Sequence, residues 1–279
     1  MNGWRFALSP RWGGYLSLVI VFAIVCASLG AWQLARRAEA LAAIATVNNN
    51  YGSAPIPLPE ALPTLDAFSG DQEWTPVTLH GRYLTEDQLL VRTRPLGGAP
   101  GFEVLTPLRL SNGTVFVVDR GWVPVGDTHD DPDSVPAAPS GDIDVVVRLK
   151  PGEPTLAGRT APTGQIATIQ LGEIASGIDL PTYTGAYGLL VSENPSPPTR
   201  PTPLPKPVLD EGPHLSYAFQ WFVFALLGFV AFGWALRQEY RVENASDPAE
   251  QQRAQDRRER TAARAPSDAQ IEDEILDRR

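Results

Sequence analysis

Few side chains in this sequence could bind a metal or a metal-containing cofactor. The chain of 279 residues contains three histidines, one cysteine and one methionine, and the methionine is its first residue. The lone cysteine, Cys26, lies within a long apolar run, so the chain can form no internal disulfide. Copper transfer is not indicated, because a copper carrier needs soft sulfur ligands. The sequence also lacks a C-x-x-C-H motif for covalent haem attachment and a cysteine and histidine cluster with zinc spacing.

The three histidines differ in their surroundings. His80 lies in the strand-like run TPVTLHGRYL, where a surface or packed histidine is expected. His129 stands among aspartates in GDTHDDPDSVP, but their spacing does not match a calcium-binding loop, which favours a solvated turn. His214 stands at the start of a long apolar run, close to aromatic residues. Two interpretations fit His214: an interfacial anchor or helix-start residue, and an imidazole ligand for a large flat cofactor such as haem.

Motifs for hydrolytic or nucleotide-dependent catalysis are absent from the sequence. It contains no G-x-S-x-G, no H-E-x-x-H, no Walker loop and no G-x-G-x-x-G after a strand-like run. Acidic residues are numerous, but nothing singles out a pair for acid–base chemistry. We therefore predict that the protein is not an enzyme.

Two long uncharged runs, one of which follows His214, indicate membrane spans. They extend over residues 12–35 and 215–236. At about 1.5 Å per helical residue, each is long enough to cross the hydrocarbon core of a bilayer. Aromatic residues, which prefer the headgroup region, stand near the ends of both runs: Trp12, Trp32, Tyr217, Trp221, Trp234 and Tyr240. We predict transmembrane helices at 12–35 and 214–236.

The first span has two alternative interpretations. A cleaved signal peptide would use Arg5 and Arg11 as its basic start and the small residues from Ala27 onward as its cleavage region. The uncharged run exceeds the usual length of a signal, which favours a permanent span. A lipoprotein site at Cys26 is disfavoured because the preceding Val25 is bulky.

Basic residues predict the orientation of the two spans. Arg237 and Arg241 directly follow the second span and more arginines come after them, whereas only two basic residues approach its start. Because cytoplasmic flanks are enriched in Lys and Arg, we predict a cytoplasmic N-terminus at 1–11, an extracytoplasmic middle, and a charged cytoplasmic tail at 237–279. Abundant Ala, Arg and Pro with few Lys are typical of a GC-rich bacterium, so we expect a bacterial plasma membrane.

The net charge of the chain is −9. Most of it arises between the spans, where residues 38–213 carry ten Lys or Arg against 21 Asp or Glu. This acidity argues against nucleic acid as a partner and against adhesion of the outer domain to anionic headgroups.

Residues 36–192 have the pattern of a β-rich extracytoplasmic domain. Seven short runs of β-forming residues are separated by Gly, Pro and Asn: 75–84, 88–96, 101–110, 114–123, 142–150, 165–171 and 186–193. They predict an antiparallel sheet, barrel-like or sandwich-like. The run 114–123 is apolar on both faces, so it should be central, and a tight turn at Asn112-Gly113 should join it to the preceding run. The predicted fold is thus an α+β membrane protein with two transmembrane helices flanking this domain.

The central run ends in DRGW at 119–122. Either these four residues complete the core, or the arginine and tryptophan form a contact surface; the chemistry favours the first interpretation. Arg92 and Arg94, two apart on a predicted strand, should point to the same face and are candidates to join this cluster.

Several segments outside the predicted strands also have a distinct composition. The proline-rich residues 193–213 predict an extended strut back to the membrane, and 48–63 a milder version of it. The first helix is expected to continue through 35–47, and the tail from residue 243 is expected to be disordered or loosely helical.

Three stretches stand out together: GAWQLARR at 30–37, GFEVLTPLRLSNGTVFVVDRGWVP at 101–124 and HLSYAFQWF at 214–222. They resemble the Surfeit locus protein 1 family, whose members assist the assembly of haem-copper cytochrome c oxidase. The three occur in the family's order and with its two-span arrangement, and the resemblance covers residues 12–236. Where the family often has a lysine after the first-span arginines, this chain has Glu39 and Ala40, so a basic cluster is not implied there.

The resemblance implies an assembly factor that works when haem a enters the main oxidase subunit, with His214 as a ligand of haem a. It implies cytochrome c oxidase subunits, the lipid bilayer and enzymes of haem a biosynthesis as partners. It also implies a role in the fold or in partner contact for Trp32, Gln33, Arg36, Arg120, Gly121, Trp122, Tyr217 and Trp221.

Two alternatives remain open at the level of sequence. The protein could stay bound to the finished oxidase or to a respiratory supercomplex as an accessory subunit. An extracytoplasmic ligand sensor is less favoured, because the tail after residue 236 is too short and polar for an output domain.

Overall fold

The computed structural model describes residues 3–262, so the end of the predicted tail, 263–279, lies outside the described residues. The chain forms two compact units. One joins Met1–Ala38 to Gly212–Arg279, and the other is Glu39–Glu211. We call the first the helical unit and the second the outer domain.

The described residues contain five α-helices: α1 (Pro10–Asn50), α2 (Leu58–Ala61), α3 (Leu171–Ser176), α4 (His214–Glu243) and α5 (Pro248–Ala262). Short 3-10 helices occur at Arg5–Leu8, Gly70–Gln72 and Thr85–Asp87. The predicted continuation of the first helix beyond residue 35 is confirmed, and it extends three residues further than expected, to Asn50. The tail is helical at α5 rather than disordered within the described residues.

Two helices, α1 and α4, are long and apolar enough to cross a membrane, judged by length and composition. Within the helical unit they run antiparallel. Gly228 lies against the Phe22 ring, and a Cβ atom on Gly30 would lie 2.8 Å from the Phe222 ring. Glycine at each position leaves room for a phenylalanine ring of the other helix, and small residues are typical of interfaces between membrane helices.

Eight strands build the outer domain: β1 (Ile56–Pro57), β2 (Pro76–Tyr83), β3 (Leu89–Val91), β4 (Gly101–Leu110), β5 (Val115–Pro124), β6 (Ile143–Pro151), β7 (Gln165–Ile166) and β8 (Ala186–Asn194). The sheet order is β1-β2-β6-β8-β5-β4-β3-β7, and β2 also pairs with β4. This extra pairing closes the sheet into a barrel of β2, β6, β8, β5 and β4. The barrel alternative is therefore confirmed over the sandwich.

Barrel closure depends on a close approach of two backbones. Gly81 in β2 pairs with Leu110 in β4, and a Cβ atom on Gly81 would lie 2.1 Å from the Arg109 carbonyl oxygen. The prediction of a purely antiparallel sheet is wrong at three pairs, because β5 with β8, β1 with β2, and β3 with β7 are parallel.

The central position predicted for the fourth run is confirmed, since β5 lies between β8 and β4. The predicted β4–β5 turn also forms. Positive φ occurs at Gly113 (85°), and the Gly113 N–H donates to the Leu110 carbonyl. Asn112 keeps negative φ, as expected of a three-residue loop that ends in a left-handed glycine.

Two predicted strands are shorter than expected. The run 88–96 ends as a strand at Val91, because Thr93 adopts a φ of 59° and turns the chain. The run 165–171 forms two strand residues, after which α3 begins at Leu171. Burial of Leu171 and Ile174, three apart on one helix face, favours the helix.

Segment 48–63 is not a strut. Its Leu58 and Leu62 are 1% and 0% exposed and belong to the apolar core inside the barrel, together with Phe116 and Val118 of β5. Segment 193–213 contains no helix, but it is not free of the barrel. Trp122 and Thr202 exchange two backbone hydrogen bonds of 2.8 Å.

Candidate functional site

His214 and Gln33, both singled out from the sequence, are brought together in the helical unit. His214 is the first residue of α4, and Gln33 lies in α1, 181 positions earlier in the chain. The Nδ1 atom of His214 lies 2.8 Å from the Oε1 atom of Gln33. Because an amide oxygen only accepts hydrogen bonds, this contact forms in the tautomer that carries its proton on Nδ1.

The other ring nitrogen of His214 is bordered by glycine. Gly212 has a φ of 70°, and a Cβ atom there would lie 3.3 Å from His214 Nε2. The left-handed conformation turns the chain into α4, and the missing side chain leaves room beside this ring edge. With Nδ1 protonated, Nε2 carries the lone pair and is the atom that can bind a metal.

The predicted site residues around His214 lie at different depths. Trp32 is 56% exposed and Tyr217 is 48% exposed, and Arg36 is exposed as well. Trp221 is half-buried, with its ring edge against Phe224 at a centroid distance of 6.0 Å. Their roles in partner contact or in the fold stay predictions.

In the DRGW motif, Asp119 and Arg120 are successive residues of β5, so their side chains lie on opposite faces of the strand. Arg120 points into the barrel interior, where its side chain and that of Glu193 are 0% and 1% exposed. The Arg120 guanidinium lies 3.6 Å from Glu193 and donates to the carbonyls of Pro136 and Ala137 at 3.0 and 3.1 Å. The Tyr83 hydroxyl donates to the second Glu193 oxygen at 3.1 Å. Burial and the nearby Glu193 carboxylate raise the pKa of Tyr83.

Asp119 lies on the other face of β5, near a second charged group. Arg94 pairs there with Glu103 at 3.1 Å and with Glu153 at 2.5 Å. Asp119 is 1% exposed, and its Oδ1 accepts the Gly121 N–H at 2.9 Å. Its Oδ2 has no hydrogen-bond partner among the described residues. Burial raises the pKa of the Asp119 carboxyl well above its usual range, and the charge of Glu103 adds to this effect.

Trp122 connects the motif to Arg94. The indole N–H donates to the Arg94 carbonyl at 2.6 Å, and Trp122 is 9% exposed. The predicted link between Arg94 and this cluster therefore exists, but not through a shared strand face, because the turn at Thr93 intervenes. Sequence reasoning missed the partners Glu193, Tyr83, Glu103 and Glu153. Each reaches its arginine only through the folding of the sheet, and nothing in the stretch 101–124 marked Glu103 as a partner of Arg94.

A pH dependence of stability follows from Asp119. The unfolded-state pKa of Asp is about 3.9 and the folded-state pKa is raised, so between these values the native state holds a proton that the unfolded state has lost. Stability from this group is therefore present below about pH 4 and is lost as pH rises through the folded-state pKa. Asp119→Asn keeps an acceptor for the Gly121 N–H and removes the charge. We expect it to raise the free energy of unfolding by about 1 kcal/mol at pH 7, with little change near pH 4.

Urea unfolding of the full chain in detergent, followed by tryptophan fluorescence from pH 4 to 8, measures this effect. Stability curves of the two proteins that run parallel over the whole range would show that Asp119 does not titrate as described.

The other two histidines are exposed. His80 pairs with Asp144 at 2.8 Å, with both side chains more than half exposed, and His129 contacts the Asp131 carbonyl at 2.7 Å in a turn. Within residues 3–262, no group of three or more His, Cys, Asp or Glu side chains is arranged to hold a metal ion.

Comparison with known proteins addresses the predicted family. The SURF1 family model matches residues 20–226. A SURF1-like protein of Mycobacterium tuberculosis is 32% identical over 254 residues, covering 87% of this chain and 91% of the relative. A SURF1-like protein of Monosiga brevicollis is 32% identical over 129 residues, 42% of this chain and 48% of the relative. The cytochrome oxidase assembly protein SHY1 of Saccharomyces cerevisiae is 31% identical over 109 residues, 39% of this chain and 28% of the relative.

The family match includes the whole of all three stretches that carried the resemblance, and the mycobacterial relative aligns along most of both chains. The resemblance found in the sequence is confirmed, and this chain belongs to the SURF1 family.

Proposed function

We propose that this protein is a membrane-bound assembly factor for haem-copper cytochrome c oxidase that handles haem a as it enters the main subunit. The proposal rests on membership of the SURF1 family, in which the yeast relative is named as a cytochrome oxidase assembly protein. Oxidase subunits are then its partners, enzymes of haem a biosynthesis are further expected contacts, and no catalytic turnover is required of the chain.

The membrane placement is supported by the outward faces of α1 and α4. Large apolar side chains are exposed along both helices, among them Leu18 at 67%, Ile24 at 60%, Phe219 at 70% and Leu226 at 63%. Such surface is costly in water and suits a lipid environment. We place both helices in a bacterial plasma membrane, with both termini cytoplasmic and the barrel outside, in agreement with the flanking arginines.

The observation that favours haem handling is the His214–Gln33 contact. Histidines that bind metals commonly donate their second ring N–H to an oxygen acceptor, which fixes the tautomer and the ring orientation. Gln33 provides this acceptor at 2.8 Å, and Gly212 leaves room beside Nε2. The residues thus fit an axial ligand for haem iron. Haem a is the cargo in this proposal, and its apolar tail would favour the same membrane interface as the exposed aromatic side chains nearby.

Reduced-minus-oxidised absorbance spectra of membranes test this function. A strain lacking the gene is complemented with the wild type, His214→Ala, Gln33→Met, Gln33→Glu or His80→Ala. We expect deletion to remove most of the a-type haem signal, and the wild type and His80→Ala to restore it. His214→Ala should fail at equal protein levels. Gln33→Met removes the acceptor and should weaken haem binding by about 10- to 100-fold, whereas Gln33→Glu, which keeps an acceptor, should restore the signal largely.

Three outcomes would contradict parts of the proposal. An unchanged spectrum in the deletion strain would remove the essential assembly role and favour a stably bound accessory subunit. Full restoration by His214→Ala would exclude this histidine as the haem ligand. Equal restoration by Gln33→Met and Gln33→Glu would show that the amide oxygen does not position the imidazole.

A further inference from the structure

A cavity of about 460 Å³ lies in the helical unit beside the C-terminal end of α4. Its wall includes Arg237 and Arg241 from α4 and Arg253 and Arg257 from α5. Glu250 is the acidic residue of this wall. Four guanidinium groups around one carboxylate make the wall strongly positive, although acidic residues outnumber basic ones in the tail 237–279 as a whole.

The positive charge of the wall is only partly neutralised. Glu250 accepts from Arg257 at 2.8 Å and lies 3.5 Å from Arg253, so its carboxylate is shared between the two arginines of α5. Arg237 and Arg241 form no ion pair with any carboxylate among residues 3–262. They are four apart on one helix, so their guanidinium groups lie on the same face and can act together on one anion.

The position of the cavity along α4 indicates what kind of anion it could bind. Gly233, also in the wall, belongs to the uncharged run 215–236, and Arg237 is the first charged residue after that run. The Trp4 ring stacks on the Tyr240 ring at a centroid distance of 4.5 Å, and both residues line the cavity. A helix that changes from apolar residues to arginine and aromatic residues typically does so at the headgroup layer of a bilayer.

We propose that this pocket binds the phosphodiester headgroup of an anionic phospholipid in the cytoplasmic leaflet. Planar guanidinium groups bind phosphate oxygens in a bidentate manner, and basic pockets beside membrane helices on the cytoplasmic side are suited to such headgroups. A bound headgroup would neutralise Arg237 and Arg241 and hold α5 against the end of α4. The proposal rests on the membrane placement given above but not on haem handling.

Lipid binding to the detergent-purified full chain, followed by native mass spectrometry, tests the pocket. The probes are phosphatidylglycerol, phosphatidylcholine of matched chain length, and inorganic phosphate as competitor. The pocket variant is Arg237→Gln with Arg241→Gln. Its matched control is Arg258→Gln with Arg260→Gln, which removes the same charge from exposed positions of α5 outside this wall. Circular dichroism verifies that both variants keep their helix content.

We expect the wild type and the control to prefer phosphatidylglycerol over phosphatidylcholine, and the pocket variant to bind phosphatidylglycerol about 30-fold more weakly. Equal losses in both variants would overturn the pocket in favour of general charge attraction. An unchanged affinity of the pocket variant for phosphatidylglycerol would also overturn the proposal. Displacement of phosphatidylglycerol by inorganic phosphate at comparable concentration would overturn the lipid assignment and make the pocket a site for free phosphate.

Discussion

Replacement of Arg120 by methionine is expected to lower the free energy of unfolding by about 3–5 kcal/mol. Arg120 and Glu193 face each other inside the barrel at 3.6 Å, and neither side chain has appreciable contact with water. Methionine fills much of the volume of the arginine stem but leaves the Glu193 carboxylate without its countercharge. The carbonyls of Pro136 and Ala137 also lose their donors.

A double variant separates the ion pair from the packing. Glu193→Gln keeps an acceptor for the Tyr83 hydroxyl and removes the negative charge, so Arg120→Met with Glu193→Gln should be clearly more stable than Arg120→Met alone. Arg109→Met is the matched control, since Arg109 is an exposed arginine on β4 and should change stability by no more than about 0.5 kcal/mol.

Denaturant unfolding of the full chain in detergent measures all four proteins. If Arg120→Met is no less stable than Arg109→Met, or if the double variant is as unstable as the single one, the buried ion pair does not stabilise the barrel in this way.

The burial of Arg120 could not be predicted from the sequence. The pattern DRGW predicted either a structural cluster or a contact surface, and local composition does not distinguish a buried arginine from an exposed one. Its neutralising partner, Glu193, lies at the far end of β8, and the long-range parallel pairing of β5 with β8 brings the two strands together. The interior position of Arg120 and Glu193 makes a direct surface contact through this arginine unavailable, although the role of the whole motif in partner binding stays a prediction.

Elements with strong local signals were predicted well. β4 has the predicted bounds, 101–110, because an apolar run is followed by an Asn-Gly turn. β5 was expected at the centre because it is apolar on both faces. The parallel pairing of β5 with β8 and the closure of β2 on β4 are long-range, and no local pattern records them. The burial of Leu58 and Leu62 was missed because prolines dominate the composition of segment 48–63.

The candidate haem site was predicted in its parts rather than as an assembly. His214 was placed at a membrane interface from the sequence, and Gln33 was carried over from a motif of its own. Their contact joins residues from two separate helices, so it required the antiparallel packing of α1 and α4. The arginine pocket near Arg237 was not predicted at all. From the sequence, its arginines indicated only the orientation of the second span. The pocket depends on the packing of α5 beside α4, which no local pattern predicts.

Gly121→Ala is expected to have the second large effect on the barrel. Gly121 has a φ of 126°, and a Cβ atom there would lie 2.5 Å from the Thr202 carbonyl oxygen. The substitution therefore combines a backbone conformation that L-residues rarely adopt with a clash against backbone that cannot move independently. We expect a loss of about 2–4 kcal/mol in the free energy of unfolding.

The clash should also be visible locally. Thr202 is held to Trp122 by two hydrogen bonds of 2.8 Å, so displacing it should release the proline-rich segment from the barrel. Limited proteolysis with thermolysin, which cleaves before large apolar residues, should then cut Gly121→Ala at the Val208–Leu209 bond at protease concentrations that leave the wild type intact.

Gly113→Ala provides the control for backbone strain alone. Gly113 also has positive φ, 85°, but a Cβ atom there would meet nothing within 4 Å. This variant should lose only about 1–2 kcal/mol and keep the proline-rich segment protected. The difference between the two alanine variants isolates the contact with Thr202. Equal losses, or unchanged protection of the segment in Gly121→Ala, would mean that Gly121 is required for its conformation and not for docking the chain that returns to α4.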